Sequence, residues 1–167
     1  MSIKLDEKDL SILALIQEDS QQTAKQISKR INAPLTTVFA KMKRMEDQGI
    51  IRGYRAIVAA EKLGAGTSAF ILASVSYRSK MEGTPVSQRT VAEEIAKFAE
   101  VQEVHIITGD WDLLVKVRAA SVDAIGKFVV DKLRLISGLD KTLTCMVFET
   151  VKETTAVALP FKRADRL

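Results

Sequence analysis

Across residues 59–67, which read AAEKLGAGT, the spacing of the apolar residues changes. Upstream they recur every three or four positions, the period of an amphipathic helix. Downstream, short apolar or alternating runs characteristic of strands enclose two more helical stretches. A chain of 167 residues with two periodicities on either side of a small-residue, glycine-bearing joint is expected to form two small units. The expected division is residues 1–53, a strand and linker over 54–67, a second domain over 68–154 and a tail over 155–167. With 47% apolar residues there is material for a core in each.

The leading unit reads as three helices. In LDEKDLSILALIQED, Asp6 can cap a helix, Asp9 holds its third position, Leu5 can staple against Leu10, and Leu10, Leu13 and Ala14 recur at helical spacing. TAKQISKRI opens on Thr23 with Gln26 three residues on, a capping box, and its stripe is Ala24, Ile27 and Ile31. NAP then restarts the chain, with Pro34 suited to a first helical position, and Gly49 ends the third helix. This is helix-turn-helix spacing. At 100° per residue Val38, Met42, Met45 and Leu35 share a buried face, Thr36, Thr37, Ala40, Lys43 and Arg44 lie opposite, and Lys41 sits at the boundary. Any surface helix turns cations outward. Here the outer face is small and polar near its start, as close approach to base edges requires, and a capped basic helix lies just upstream. The following IIRGYRAIV alternates as a strand would and carries Arg52 and Arg55.

Downstream the order is strand SAFILASVSY, helix VAEEIAKFA (Val91, Ile95, Phe98), strands VQEVHIIT and WDLLVKVRA, helix SVDAIGKFVVDKLRLI (Ile125, Phe128, Val129, Leu133, Ile136) and strand LDKTLTCMVFETV. This β-α-β-β-α-β order matches a ferredoxin-like split βαβ fold, so the fold class is α+β. Both helices would cover one sheet face and leave the other, with Leu114, Ile107, Thr142 and Thr144, to be covered by a second copy.

Charge and composition limit the chemistry. Residues 20–55 carry 8 basic and 2 acidic side chains, whereas residues 1–19 carry 2 and 5, so a polyanion would meet the second and third helices. Cys145 is the only cysteine and His105 the only histidine. No intrachain disulfide or cysteine-rich zinc site can be drawn, and Ser-His-Asp or Cys-His catalysis has almost no raw material. His105 reads as a mid-strand interface histidine and Cys145 as a small buried hydrophobe. No run approaches the roughly 20 apolar residues of a membrane span, and the first residues lack a signal-peptide core, so a cytoplasmic protein is expected.

Taken together, LDEKDLSILALIQED, TAKQISKRI, TTVFAKMKRMEDQGIIRGYRAIV, VQEVHIITGDWDLLVKV and LRLISGLDKTLTCMVFETVKET resemble the leucine-responsive regulatory protein/AsnC, or feast/famine, family of transcription regulators over residues 5–154. The resemblance implies a winged-type helix-turn-helix joined by a strand to an effector domain that dimerises, often assembles to octamers, and binds small molecules, usually amino acids, between protomers. No cofactor is implied. Where the family commonly opens the recognition helix with serine or aspartate, this chain has Pro34, which forfeits a side-chain cap. RSKMEGTPVSQRT, over 78–90, is longer and more polar than usual and reads as a flexible loop; the basic tail FKRADRL reads as disordered.

For double-stranded DNA the phosphate candidates are Lys25, Lys29, Arg30, Arg52 and Arg55, and the groove candidates are Thr36, Thr37, Ala40, Lys41, Lys43 and Arg44, with Arg44 equally suited to a phosphate. TGDWD reads as a tight hairpin turn in which Gly109 supplies positive φ. The resemblance adds that this turn lies beside the effector pocket. There Asp110 and Asp112 suit an ammonium group and free N–H groups at Gly109 suit a carboxylate, with Thr142 and Thr144 on the adjacent strand. Two other functions remain open from sequence. Siroheme decarboxylases look like this family, helix-turn-helix included, although one histidine is thin equipment for them; the third reading is a metabolite-binding module that does not bind DNA.

Overall fold

A computed structural model describes residues 4–76 and 86–161. Most of the loop expected over 78–90 and the end of the basic tail therefore lie outside the described residues. The chain divides into two compact units, residues 1–57 with 152–167, and residues 58–151.

In the first unit, α1 (Glu7–Glu18) begins at a reciprocal cap: the Asp6 carboxylate accepts from the Asp9 N–H, and the Asp9 carboxylate accepts from the Asp6 N–H. Helix α2 (Ala24–Arg30) starts on the expected Thr23–Gln26 capping box. Asn32, at φ 47, turns the chain through the left-handed region, which asparagine tolerates better than most residues, and α3 (Leu35–Asp47) follows. Pro34 is the residue before the helix, not its first turn, and supplies no side-chain cap. Gly49, at φ 68, ends the run beyond Gln48.

The core of this unit joins Ile12, Leu13, Ile27, Ala33, Val38, Met45 and Ile51, with Met42 packed at its edge. Leu35 does not belong to it; it is 40% exposed, because at the first residue of α3 its 60° offset from Val38 carries it past the edge of the packed seam. No strand forms over residues 52–59; the alternation there finds no pairing strand among the described residues, and a short 3₁₀ turn, Ala60–Leu63, follows. The described residues before the basic tail are tied to α1, while FKRADRL lies, except for Phe161, outside the described residues. Gln17 accepts from the Val157 N–H at 2.7 Å and donates to the Val157 carbonyl at 3.2 Å, and Leu159 packs on the helical core.

In the second unit four strands form one antiparallel sheet in the order β2-β3-β1-β4: β1 (Thr67–Val75), β2 (Val101–Ile106), β3 (Leu113–Ala119) and β4 (Leu139–Met146). Helix α4 (Gln88–Ile95) and helix α5 (Val122–Lys127) are capped by Ser87 and Ser121; α5 continues through a wider turn, Phe128–Lys132, into a 3₁₀ turn, Leu133–Leu135. Val91, Ile95, Ile125, Phe128, Val129, Leu133 and Ile136 meet Ala69, Ile71, Ala73, Leu113, Val115 and Val117 in one core. Phe98 stands edge-on to Phe128, centroids 5.5 Å apart.

Register fixes which residues face away from the helices. Ile71 pairs with Thr144 and Ala73 with Thr142, and directly paired residues share a face. Thr142 and Thr144 are therefore on the helix side, contrary to the sequence reading. The open side carries Phe70, Leu72, Leu114, Leu143, Cys145 and His105, so Leu114 lies where expected and Cys145 is exposed, not buried. Among the described residues no helix is long and apolar enough to cross a membrane.

Candidate nucleic-acid interface and effector turn

The orientation of α3 is set by one buried carboxylate. Asp9 follows the helix cap so closely that its side chain points back toward α3, where it is 1% exposed. Lys41 Nζ donates to Asp9 Oδ1 at 3.1 Å and to Asp6 Oδ2 at 2.5 Å, and Arg44 Nη2 lies 2.6 Å from Asp9 Oδ2. With the Asp6 N–H this makes three donors on one carboxylate, the satisfaction a buried charge requires. The Lys41 hydrogen bond, aided by the Asp9 N–H, holds the Asp6 carboxyl down at about 2. Burial opposes the Lys41 ammonium, but the two carboxylates outweigh it and its pKa is raised.

Lys41, at 15% exposure, is thus withdrawn from the groove role assigned to it, and Arg44, 43% exposed, is a structural partner of α1. Thr37 is half-buried, at an angle on the helix between the two. The reason is long-range: this flank of α3 abuts α1, a fact that spacing within α3 does not carry. Two cations three residues apart, with an aspartate inside an apolar upstream helix, were the only available signal.

What remains outward is a stripe at i, i+3, i+4 and i+7: Thr36, Phe39, Ala40 and Lys43, all exposed, with Leu35 beside it. Phe39, 58% exposed, is the residue the sequence reading overlooked. A phenylalanine 100° off the Val38–Met42–Met45 seam was the clue. On α2, Lys25 and Lys29 are exposed one turn apart. Arg30 hydrogen-bonds Gln22 at 3.0 Å and pairs with Glu18 at 3.4 Å, a solvent-screened contact that leaves it available to a stronger anion. Arg52 and Arg55 are exposed on the segment leaving α3. Between them Tyr54 donates to Glu46 at 2.9 Å, tying that segment to the end of α3; burial first, then this bond to a carboxylate, raise its pKa to about 12.

In the second unit the TGDWD segment is wider than a tight hairpin. The Ile107 N–H bonds the Asp112 carbonyl at 2.9 Å, leaving residues 108–111 as the loop tip. Gly109, at φ 123, occupies backbone space that side chains rarely enter, and a Cβ there would touch nothing, so its role is conformational. Asp110 is exposed. Asp112 is engaged in the fold: its carboxylate accepts from the Val75 N–H at 2.7 Å and from Gln88 Nε2 at 2.5 Å, joining β1, β3 and α4. Thr142 and Thr144 lie two strands from β3 on the helix side. The structure therefore brings Gly109 and Asp110 together at an accessible tip, makes Asp112 their support, and leaves the two threonines apart. On the open face Glu103 meets His105 at 3.2 Å and Lys116 at 3.4 Å, and its pKa is lowered, chiefly by the bond to His105. Among the described residues no cluster of His, Cys, Asp or Glu is arranged to hold a metal ion.

A basic helix pair whose outer stripe runs Thr36, Phe39, Ala40 and Lys43, followed by a separate four-stranded α+β unit, has the layout of a helix-turn-helix regulator. The comparisons agree. A winged helix-turn-helix DNA-binding profile matches residues 5–52, and the profile of the Lrp/AsnC ligand binding domain matches residues 68–157. An HTH-type transcriptional regulator of Pyrococcus abyssi is 42% identical over 89% of this chain and 96% of its own length. Another from Pyrococcus furiosus is 39% identical over 92% and 99%. Among solved structures, a transcriptional regulator of Neisseria meningitidis in complex with L-methionine superposes with a TM-score of 0.84 at 28% identity, covering 94% of this chain and 98% of that one. Escherichia coli AsnC shares the fold, with a TM-score of 0.81 at 22% identity over 92% and 99%. The chain belongs to the Lrp/AsnC family of helix-turn-helix transcriptional regulators, and the decarboxylase alternative is not favoured by relatives named as transcriptional regulators.

Proposed function

We propose that this regulator binds duplex DNA through α2 and α3, as a symmetric oligomer whose state responds to an amino acid. The observation that carries this is the outer stripe of α3, free of the Asp9 cluster, together with the exposed cations Lys25 and Lys29 on the helix before it and Arg52 and Arg55 on the segment after it. In this reading those four residues and Arg30 neutralise phosphates, while Thr36, Ala40 and Lys43 approach base edges. The open sheet face, with Phe70, Leu72, Leu114 and Leu143, is apolar enough to favour a second copy as its cover. Two-fold symmetry would set half-sites about one helical turn, roughly 34 Å, or a multiple apart. The methionine-bound neighbour supports an amino-acid effector, with Gly109 and Asp110 at the accessible tip and Asp112 holding it.

The test is fragment selection from a random oligonucleotide pool by the full chain, with and without free amino acids, followed by a salt series on the selected duplex. Steep weakening as salt rises is expected. Salt-independent or absent binding would overturn the reading. Unchanged binding and assembly across the amino acids would remove the effector part alone.

A further inference from the structure

The outward face of α3 holds no free arginine. Its only arginine, Arg44, is held at 2.6 Å by buried Asp9, and Lys41 is held by Asp6 and Asp9. The commonest specific contact in a major groove, a bidentate arginine on guanine, is therefore not on offer from this helix. What the face does present is apolar. Phe39 is 58% exposed at the middle of the stripe, Leu35 is 40% exposed one turn before it, and Ala40 lies alongside. Neither Phe39 nor Leu35 is among the buried or partly buried residues of the helical core. Apolar side chains stand exposed elsewhere on most proteins without consequence. This one differs in its place: it occupies the i+3 position between Thr36 and Lys43, on the helix that follows the exposed cations of α2 and precedes those of the next segment.

In the major groove one base feature is apolar, the C5 methyl group of thymine, and apolar side chains are its partners. We propose that Phe39 is a specificity-determining residue that packs on thymine C5 methyl groups in the major groove, with Leu35 widening the contact. This rests on the DNA-binding reading above. The partner is thus a half-site with thymines at one or two fixed positions opposite the middle of α3, recognised by burial of a methyl group rather than by hydrogen bonds.

The experiment replaces thymine by uracil, one position at a time, in the duplex selected by the full chain, and measures affinity for the wild type, Phe39→Ala and Phe39→Leu at several salt concentrations. Uracil lacks only the methyl group. At one or two positions per half-site the wild type is expected to lose roughly 4-fold, the factor corresponding to about 0.8 kcal/mol for a buried methyl group. Phe39→Leu should retain part of that discrimination, and Phe39→Ala should bind both duplexes equally. The salt dependence should be the same for all three proteins, since no charge is altered. Because Phe39 is exposed, its replacement leaves the fold intact, which the unchanged circular dichroism spectrum would verify. If uracil has no effect at any position, or affects wild type and Phe39→Ala alike, the methyl-reading proposal fails while DNA binding stands. If no salt-dependent binding is seen in any protein, the DNA-binding reading fails with it.

Discussion

Replacing Asp9 tests whether the cations of α3 serve the fold or the DNA. Asp9→Ala removes a side chain that accepts from the Asp6 N–H, Lys41 and Arg44 at once. Breaking a buried ion pair from one side costs roughly 3 to 5 kcal/mol when the remaining charge stays buried. Here that cost is reduced, because Arg44 is 43% exposed and can turn to water, and Lys41 keeps Asp6. Loss of the reciprocal cap adds back about 1 kcal/mol. A loss of about 2 to 4 kcal/mol in the first unit is expected, and about half as much for Asp9→Asn, whose amide oxygen can still accept from the Asp6 N–H. The chain has two units, so a single melting temperature would mix them. Hydrogen exchange of α1 and α3 amides in the full chain reads the first unit by itself. Arg44→Ala should raise exchange there and leave the salt slope of DNA binding unchanged. A salt slope reduced by about one unit in Arg44→Ala, with exchange unaltered, would show that Arg44 serves a phosphate and would refute the reasoning.

Four further outcomes follow from the geometry. Lys43→Ala, on the open stripe and placed at base edges, should relax base preference at one or two positions of the selected site with no change in exchange, whereas Arg44→Ala raises exchange and leaves the preference intact. The Asp6 carboxyl is held at about 2 in the fold against 3.8 in the unfolded chain, so its contribution is complete above about pH 4 and is lost as pH falls through 2; acid titration followed by α1 and α3 exchange should show this loss, absent in Lys41→Ala. Gly138, at φ 87, would place a Cβ 2.3 Å from Val86 Cγ1, so Gly138→Ala should destabilise the sheet unit by about 2 to 5 kcal/mol, read from exchange of its strand amides, with Val86→Ala restoring the steric part only. Gln17→Ala, which removes both bonds to Val157, should raise exchange at residues 152–161 and weaken the first unit by about 1 kcal/mol.

What could be read from the sequence was local. Capping at Thr23, the Val38–Met45 seam, the order of strands and helices, and the core positions Val91, Ile95, Ile125, Phe128 and Leu133 all follow from spacing within one element. What escaped depends on distant pairings. The fate of Lys41 and Arg44 was decided by Asp9, more than thirty residues upstream, and Val157 is held by Gln17, 140 positions away. Thr142 and Thr144 changed face because strand register, set between β1 and β4, decides the parity of every side chain. Phe39 was legible but unused: its offset of about 100° from the Val38–Met45 seam puts it outside the core, and the structure shows it more than half exposed.

Photo-crosslinking asks directly which surface meets DNA. With 5-iodouracil placed singly across the selected half-site, the halogen projects into the major groove, and crosslinked peptides from the full chain can be mapped by mass spectrometry. Crosslinks should fall within residues 35–43, on the face carrying Thr36, Phe39, Ala40 and Lys43. Crosslinks confined to residues 58–151, with none on α3, would contradict DNA recognition by this helix.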